Sequence, residues 1–146
     1  MNRLKRYMAR WKSLSGREKL SFVKSAMCLT VIKAGLVFLP FSTFRKFFDW
    51  FSKSKTKKEI SQQEIKQTVW AVASAAHHLP FELLCLPQAL ATKFLLREVP
   101  FLTLEIGVAI DASKTFQAHA WVEKNGSFII GDWDENISYQ RLWVWK

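Results

Sequence analysis

The first half of the chain predicts helices separated by breaks. Ser15 and Glu18 have capping-box spacing, in which each side chain bonds to the other residue's backbone N–H group. A helix is expected to follow through about Val37, and Pro40 interrupts it. A shorter helix should come next, with its aromatic residues on one side: Phe44, Phe47, Phe48 and Phe51.

A polar run then separates this part from the rest of the chain. Residues 52–58 contain no apolar side chain, which is typical of a solvated linker. Ser61 and Glu64 form a second capping-box pattern, and a helix is expected to end near His78. This helix carries apolar residues at helical spacing: Ile65, Val69, Val72, Ala73 and Ala76. A further helix is predicted from Cys85 to about Arg97, since Pro87 suits a first helical turn.

After Pro100 the apolar positions alternate, as they do in a strand. The alternating residues are Leu102, Leu104, Ile106, Val108 and Ile110. Strands at 119–124 and 127–132 flank Asn125-Gly126, a strong hairpin signal. Residues 139–145 predict one more strand. Helices followed by antiparallel strands indicate an α+β fold.

Composition and charge divide the chain in two. Its 146 residues are 49% hydrophobic and 14% aromatic, which allows one packed domain plus an appendage and argues against a disordered chain. Residues 1–58 carry 15 Lys+Arg against two acids, a net +13, whereas residues 59–146 carry 7 against 10, a net −3. We therefore expect a basic helical region and linker at 1–58 and a catalytic domain at 59–146. A basic region can attract nucleic acid, anionic lipid or an acidic protein, but no nucleic-acid motif accompanies it.

Two cysteines, Cys28 and Cys85, do not make a disulfide framework, and the basic start lacks the pattern of a secretory signal. A reducing cytoplasm fits best. The uncharged run at 34–44 is shorter than the roughly 20 residues that a membrane-spanning helix needs. Peripheral contact of the basic N-terminus with the inner membrane surface stays open.

Cys85 and His119 are the residues that suggest a reaction. A nucleophilic cysteine needs a base beside it in space rather than in sequence. Cys85 is expected at a helix N-terminus, where backbone N–H groups and the helix dipole stabilise a thiolate. His119 would act as the base and would later protonate the leaving amine. Cys28 is interpreted as a small core residue.

The hairpin supplies a third residue for this pair. If Asn125 and Gly126 are the two turn residues, His119 lies directly opposite Asp132, with Cβ atoms roughly 4.5–5.5 Å apart. Asp132 would then orient the imidazole and stabilise its charged form. Asp134 is the weaker candidate. A bulge in the hairpin would undo this register.

Other polar residues keep alternative readings. The backbone N–H of Cys85 is one candidate oxyanion donor, and Gln88 or a residue of 81–84 is another. Trp121 is expected as a wall of the cleft, with plain core packing as the alternative. His77 and His78 are interpreted as helix-end cations rather than metal ligands, because neighbours on a helix point in different directions. No metal or other cofactor is expected.

Several motifs occur in an order that resembles the transglutaminase-like cysteine peptidases. They are Ala71-Val72-Ala73-Ser74-Ala75-Ala76, Leu79-Pro80, Cys85-Leu86-Pro87-Gln88-Ala89-Leu90-Ala91, Ile106-Gly107-Val108 and His119-Ala120-Trp121-Val122-Glu123. Within that group, residues 60–134 are similar to the lasso-peptide leader peptidases, the split B-proteins of lasso-peptide biosynthesis. The stretch with Arg17-Glu18 and Leu39-Pro40-Phe41 is similar to their helical extension.

This resemblance implies a papain-like core, with Cys85 as the nucleophile, His119 as the base and Asp132 as the third residue. It also implies that the substrate is a ribosomally made precursor peptide, whose leader is removed. A small separate recognition protein would capture the leader, and an ATP-dependent macrolactam cyclase would act next. At Gln88 many relatives would have a basic residue, a departure that concerns contacts rather than the triad.

Two other functions remain open at this point. An acyltransferase could use the same three residues to form an amide between two chains. A non-catalytic adaptor could bind membrane or nucleic acid through residues 1–58.

Overall fold

A computed structural model describes residues 2–110, 115–132 and 137–146. In these residues five helices precede four strands. The helices are α1 (Arg3–Ser13), α2 (Gly16–Phe38), α3 (Phe41–Ser52), α4 (Gln62–His78) and α5 (Cys85–Leu95). The strands are β1 (Leu102–Ile110), β2 (Phe116–Lys124), β3 (Ser127–Ile130) and β4 (Gln140–Trp145). The predicted α+β class is confirmed.

Both predicted capping boxes begin helices. The Ser15 hydroxyl accepts from the Glu18 backbone N–H at 3.2 Å, and the Glu18 carboxylate accepts from the Ser15 N–H at 2.7 Å. Ser61 and Glu64 repeat the arrangement at the start of α4. Side chains thus satisfy backbone donors that the first helical turn leaves unpaired.

The long helix α2 holds the helical layer together. It packs against α4 and α5 and buries Ser25, Leu29 and Ile32. By length and composition alone, with a mean hydropathy of 1.6, α2 could cross a membrane. The linker between α3 and α4 lies close to the end of α5, where the Lys58 N–H donates to the Glu98 carbonyl at 2.8 Å. The division of the chain at residue 58 stays a prediction.

The four aromatic residues expected on one side of α3 differ in burial. Phe44 and Phe48 are buried, whereas Phe47 and Phe51 are exposed. Residues three and four apart share one side of a helix, so these four residues lie on a common side, and only one edge of it faces the core. The core therefore buries Phe44 and Phe48 and leaves Phe47 and Phe51 exposed. The same reason applies on α4, where Ala73 is exposed while Ala71 and Ala75 are buried.

The sheet is antiparallel, with the strand order β3-β2-β1-β4. One face packs with the helices, since Leu104, Ala120 and Val122 belong to the same core cluster as Leu90 of α5. Trp145 of β4 joins this cluster and packs on Phe48, with ring centroids 5.2 Å apart. The other face carries Trp121 and a group of charged side chains.

The hairpin forms as predicted, but its register shifts. Asn125 and Gly126 have φ values of 51° and 81°, the left-handed turn conformation that this dipeptide favours. Lys124 pairs with Ser127 in the expected register, but Val122 pairs with Ile130 because a β-bulge intervenes. The expected position of Asp132 directly opposite His119 is therefore wrong.

Candidate active site

Cys85 is the first residue of α5. Its thiol is free and half-buried, and its side chain packs against the edge of the core. The preceding N-cap residue, Leu84, makes no side-chain cap hydrogen bond, so it satisfies none of the first-turn N–H groups of α5. Such groups favour a negative charge at this end of a helix.

The far end of α5 is tied to β1. Lys93 is buried, and its ammonium donates to the Leu102 carbonyl at 2.6 Å. Burial, with a smaller contribution from Lys57, lowers the pKa of Lys93 to about 8. Because α5 also packs against β1, β2 and β3, the sheet fixes the position of the helix that begins at Cys85.

His119 lies in the middle of β2, opposite Gly107 of β1. Its Nε2 is 2.5 Å from the Gly131 carbonyl oxygen. Since a carbonyl only accepts, Nε2 carries the proton, and in the neutral ring Nδ1 is the basic nitrogen. The ring stacks on Tyr139 and on Trp121, with centroids 5.2 and 6.1 Å away.

Helix α5 packs against the strand that carries His119, but on the opposite face of the sheet from the His119 side chain. His119 itself shares the strand face of Trp121, and the alternate residues Ala120 and Val122 pack in the core. In the described residues, β3 pairs with the Val122–Lys124 end of β2. Within the part of the chain that is described, no hydrogen bond links the Cys85 thiol to His119.

Asp132 is exposed and lies two residues beyond the end of β3. The bulge in the hairpin removes the ladder pairing that would have set it against His119. The role of Asp132 as the third residue stays a prediction. Asp134, the weaker candidate, lies outside the described residues.

Trp121 is fully buried, and its Nε1 donates to the Glu123 carboxylate at 2.7 Å. Its ring lies beside that of His119, and its full burial fits the expected core packing; its role as a wall of the cleft stays a prediction. Gln88 lies on α5, and its side-chain amide donates to the Leu83 carbonyl at 2.9 Å. Its role as an oxyanion donor stays a prediction.

Sequence reasoning missed a charged network beside Trp121. Arg141 of β4 bonds to Glu123 at 2.9 Å and also pairs with Glu105 of β1. Both carboxylates are buried. Burial, and then the charge of Glu123, raises the pKa of Glu105. The sequence carried no signal for this burial, because Glu105 falls between the apolar positions of the alternating strand, on the face that is ordinarily solvated.

His78 takes part in helix packing, and the ring of its neighbour His77 lies 5.3 Å from its own. His78 Nδ1 lies 2.7 Å from the Ser74 carbonyl, and its ring meets Tyr7 edge to face at 5.2 Å. Among the residues that the structure describes, no group of three or more His, Cys, Asp or Glu side chains could hold a metal ion.

A family model described as the transglutaminase-like superfamily matches residues 35–144. This range runs from the end of α2 to β4 and contains Cys85, His119 and Asp132. No curated protein matches the chain. No solved structure matches it.

Proposed function

This chain belongs to the transglutaminase-like superfamily, and we propose that it is a cysteine peptidase that removes the leader from a lasso-peptide precursor. The observation that carries the proposal is the free thiol of Cys85 at the first residue of α5, since a helix N-terminus stabilises a thiolate. Proteins of this superfamily typically use a cysteine for catalysis. The motifs around both residues support the narrower assignment.

In the proposed reaction the Cys85 thiolate attacks the carbonyl carbon of the scissile peptide bond. His119 takes the thiol proton and gives it to the departing amine, which is the new N-terminus of the core peptide. The leader is then held as a thioester on Cys85. Water, deprotonated by His119, hydrolyses this ester and releases the leader carboxylate and the thiol. Both steps require the thiol and the imidazole within hydrogen-bond distance of each other.

The partners belong to the same proposal. A small recognition protein presents the leader to the peptidase, and an ATP-dependent cyclase uses the new N-terminus to close the macrolactam. The backbone N–H of Cys85 is the proposed oxyanion donor, because it belongs to the first turn of α5, whose N–H groups have no partner within the helix.

The test is cleavage of the precursor in the presence of the recognition protein, followed by mass spectrometry. Cys85→Ala and His119→Ala should each lower the rate at least about a thousandfold. Cys28→Ala is the matched control, since Cys28 is the other free cysteine and should be dispensable. Undiminished cleavage by the Cys85→Ala variant would contradict the proposal.

The same experiment separates hydrolysis from acyl transfer. Hydrolysis gives two peptides whose summed mass exceeds the precursor by one water molecule. Transfer to an amine gives an amide-linked product instead, because an amine then resolves the thioester. A joined product lost in Cys85→Ala would assign the chain as an acyltransferase.

A further inference from the structure

A broad apolar surface lies on the outer sides of α2 and α3. We name it the α2–α3 surface and define it by six side chains that are more than a third exposed: Met27, Val31, Leu39, Phe47, Trp50 and Phe51. Five of these residues line one open groove of about 1120 Å³. Trp50 adjoins it, with its ring 4.6 Å from that of Phe51.

The exposure of this surface is not a by-product of helix packing. The core already takes the inner sides, through Leu29 and Ile32 of α2 and Phe44 and Phe48 of α3. Val31 and Trp50 nevertheless remain 70% exposed. A contiguous apolar patch of this kind marks an interaction site on a soluble domain.

The charges beside the surface are mainly positive, since Lys24 and Arg97 line the groove together with one acid, Glu98. Residues 1–58, which contain α2 and α3, carry a net charge of +13. Lys46 is exposed on α3 itself. The chain just after α3 adds four more lysines: Lys53, Lys55, Lys57 and Lys58. An occupant of this surface must therefore be apolar where it meets the aromatic rings and negative around them.

A protein partner fits this pattern less well than a bilayer. Lysine is depleted in protein–protein interfaces, whereas interfacial helices combine Trp and Phe with lysines that reach anionic headgroups. The inner side of α2 belongs to the core, so a helix that crossed the bilayer would lose that packing. This combination of features is typical of a surface that lies on a membrane.

We propose that the α2–α3 surface docks the protein on an anionic lipid bilayer. Trp50, Phe47 and Phe51 enter the boundary between headgroups and acyl chains, and the lysines after α3 contact the phosphates. This contact is independent of the chemistry assigned to Cys85. It places the peptidase at the membrane surface without a spanning segment.

The experiment is co-sedimentation of the full chain with lipid vesicles. Vesicles of phosphatidylglycerol and phosphatidylcholine in equal parts should bind the protein, and pure phosphatidylcholine vesicles should bind it much more weakly. Raising the salt from about 0.05 M to about 0.5 M should weaken the binding, because lysine–phosphate attraction is screened. Equal binding to both vesicle types, or no binding, would overturn the proposal.

Variants locate the contact. Trp50→Ser should lower the vesicle partition coefficient at least about tenfold, since it removes one large apolar side chain that the bilayer would bury. Phe101→Ser is the matched control, because Phe101 is similarly exposed, at 72%, but lies between α5 and β1. The double variant Lys53→Glu and Lys55→Glu should lose the preference for anionic lipid. Circular dichroism melting should show that all variants stay folded.

Two results would assign the surface to a protein instead. If the chain is a dimer without lipid and Trp50→Ser makes it monomeric, a second copy covers the surface. If Trp50→Ser abolishes binding to the recognition protein and leaves vesicle binding intact, that protein is the occupant. Either result would overturn the membrane proposal.

Discussion

Replacing Lys93 with methionine should change how the stability of the protein depends on pH. Lys93 is buried near the end of α5, and its ammonium donates to the Leu102 carbonyl. Burial, followed by the charge of Lys57, lowers its pKa from 10.5 to about 8. Methionine keeps a similar length without the charge.

The direction of the pH effect on stability follows from the protonation of Lys93 in the folded and unfolded states. Between pH 8 and pH 10.5 the unfolded chain keeps the Lys93 proton while the folded protein releases it. The unfolded state then binds more protons, so stability rises with pH across this window. The pKa difference corresponds to about 3 kcal/mol in all. About 2 kcal/mol of this should appear between about pH 7 and about pH 9.5.

The assay is urea unfolding of the wild type and of Lys93→Met at these two pH values. The wild type should gain about 2 kcal/mol relative to the variant at the higher pH. The lost bond to Leu102 costs the variant about 1 kcal/mol at either pH, which the comparison cancels. Lys66→Met, at an exposed position of α4, is the control, and its free energy of unfolding should change with pH as that of the wild type does. If the free energies of unfolding of the wild type and Lys93→Met differ by the same amount at both pH values, the reasoning is refuted.

Three further substitutions or probes test other parts of the fold. Arg141→Met should cost about 3 kcal/mol in urea unfolding at neutral pH, and the cost should shrink as the pH is lowered, because burial and the charge of Glu123 raise the pKa of Glu105 and favour its neutral form; a cost that does not change with pH would contradict this. Gly131→Ala should cost at least about 1 kcal/mol more than Gly126→Ala. Both have positive φ, but only at Gly131 would a Cβ lie 2.8 Å from a backbone oxygen. Because burial raises the pKa of Cys28 to about 11, iodoacetamide should modify it about a hundredfold more slowly than a cysteine in a short peptide, as measured by mass spectrometry; modification at the peptide's rate would contradict this.

The features that the sequence predicted well depend on neighbouring residues. The capping boxes of Ser15 and Ser61 need only a side chain three residues away, so their patterns are complete in the sequence. The Asn125-Gly126 turn likewise depends on the left-handed preference of two adjacent residues. Such local chemistry fixed most boundaries to within a few residues.

The features that were missed depend on distant parts of the chain. Whether Phe47 or Phe48 is buried is decided by where α2 and β4 lie, since both residues belong to the same aromatic side of α3. The pairing of Arg141 with Glu105 joins residues on neighbouring strands that are far apart in sequence. Helix α1 was missed because none of its residues is buried and no side chain caps its start.

The contact of His119 with Gly131 gives an expectation for Asp132. The third residue of a triad orients the imidazole and stabilises its positive charge. Here the Gly131 carbonyl already orients the ring, through Nε2, but a neutral carbonyl supplies no full charge. Asp132→Asn, which keeps the shape and removes the charge, should therefore slow cleavage by about ten- to a hundredfold, well short of the loss in His119→Ala. Cleavage rates of the two variants, measured side by side, decide this: equal loss would show that the carbonyl contact does not orient His119 in the reaction.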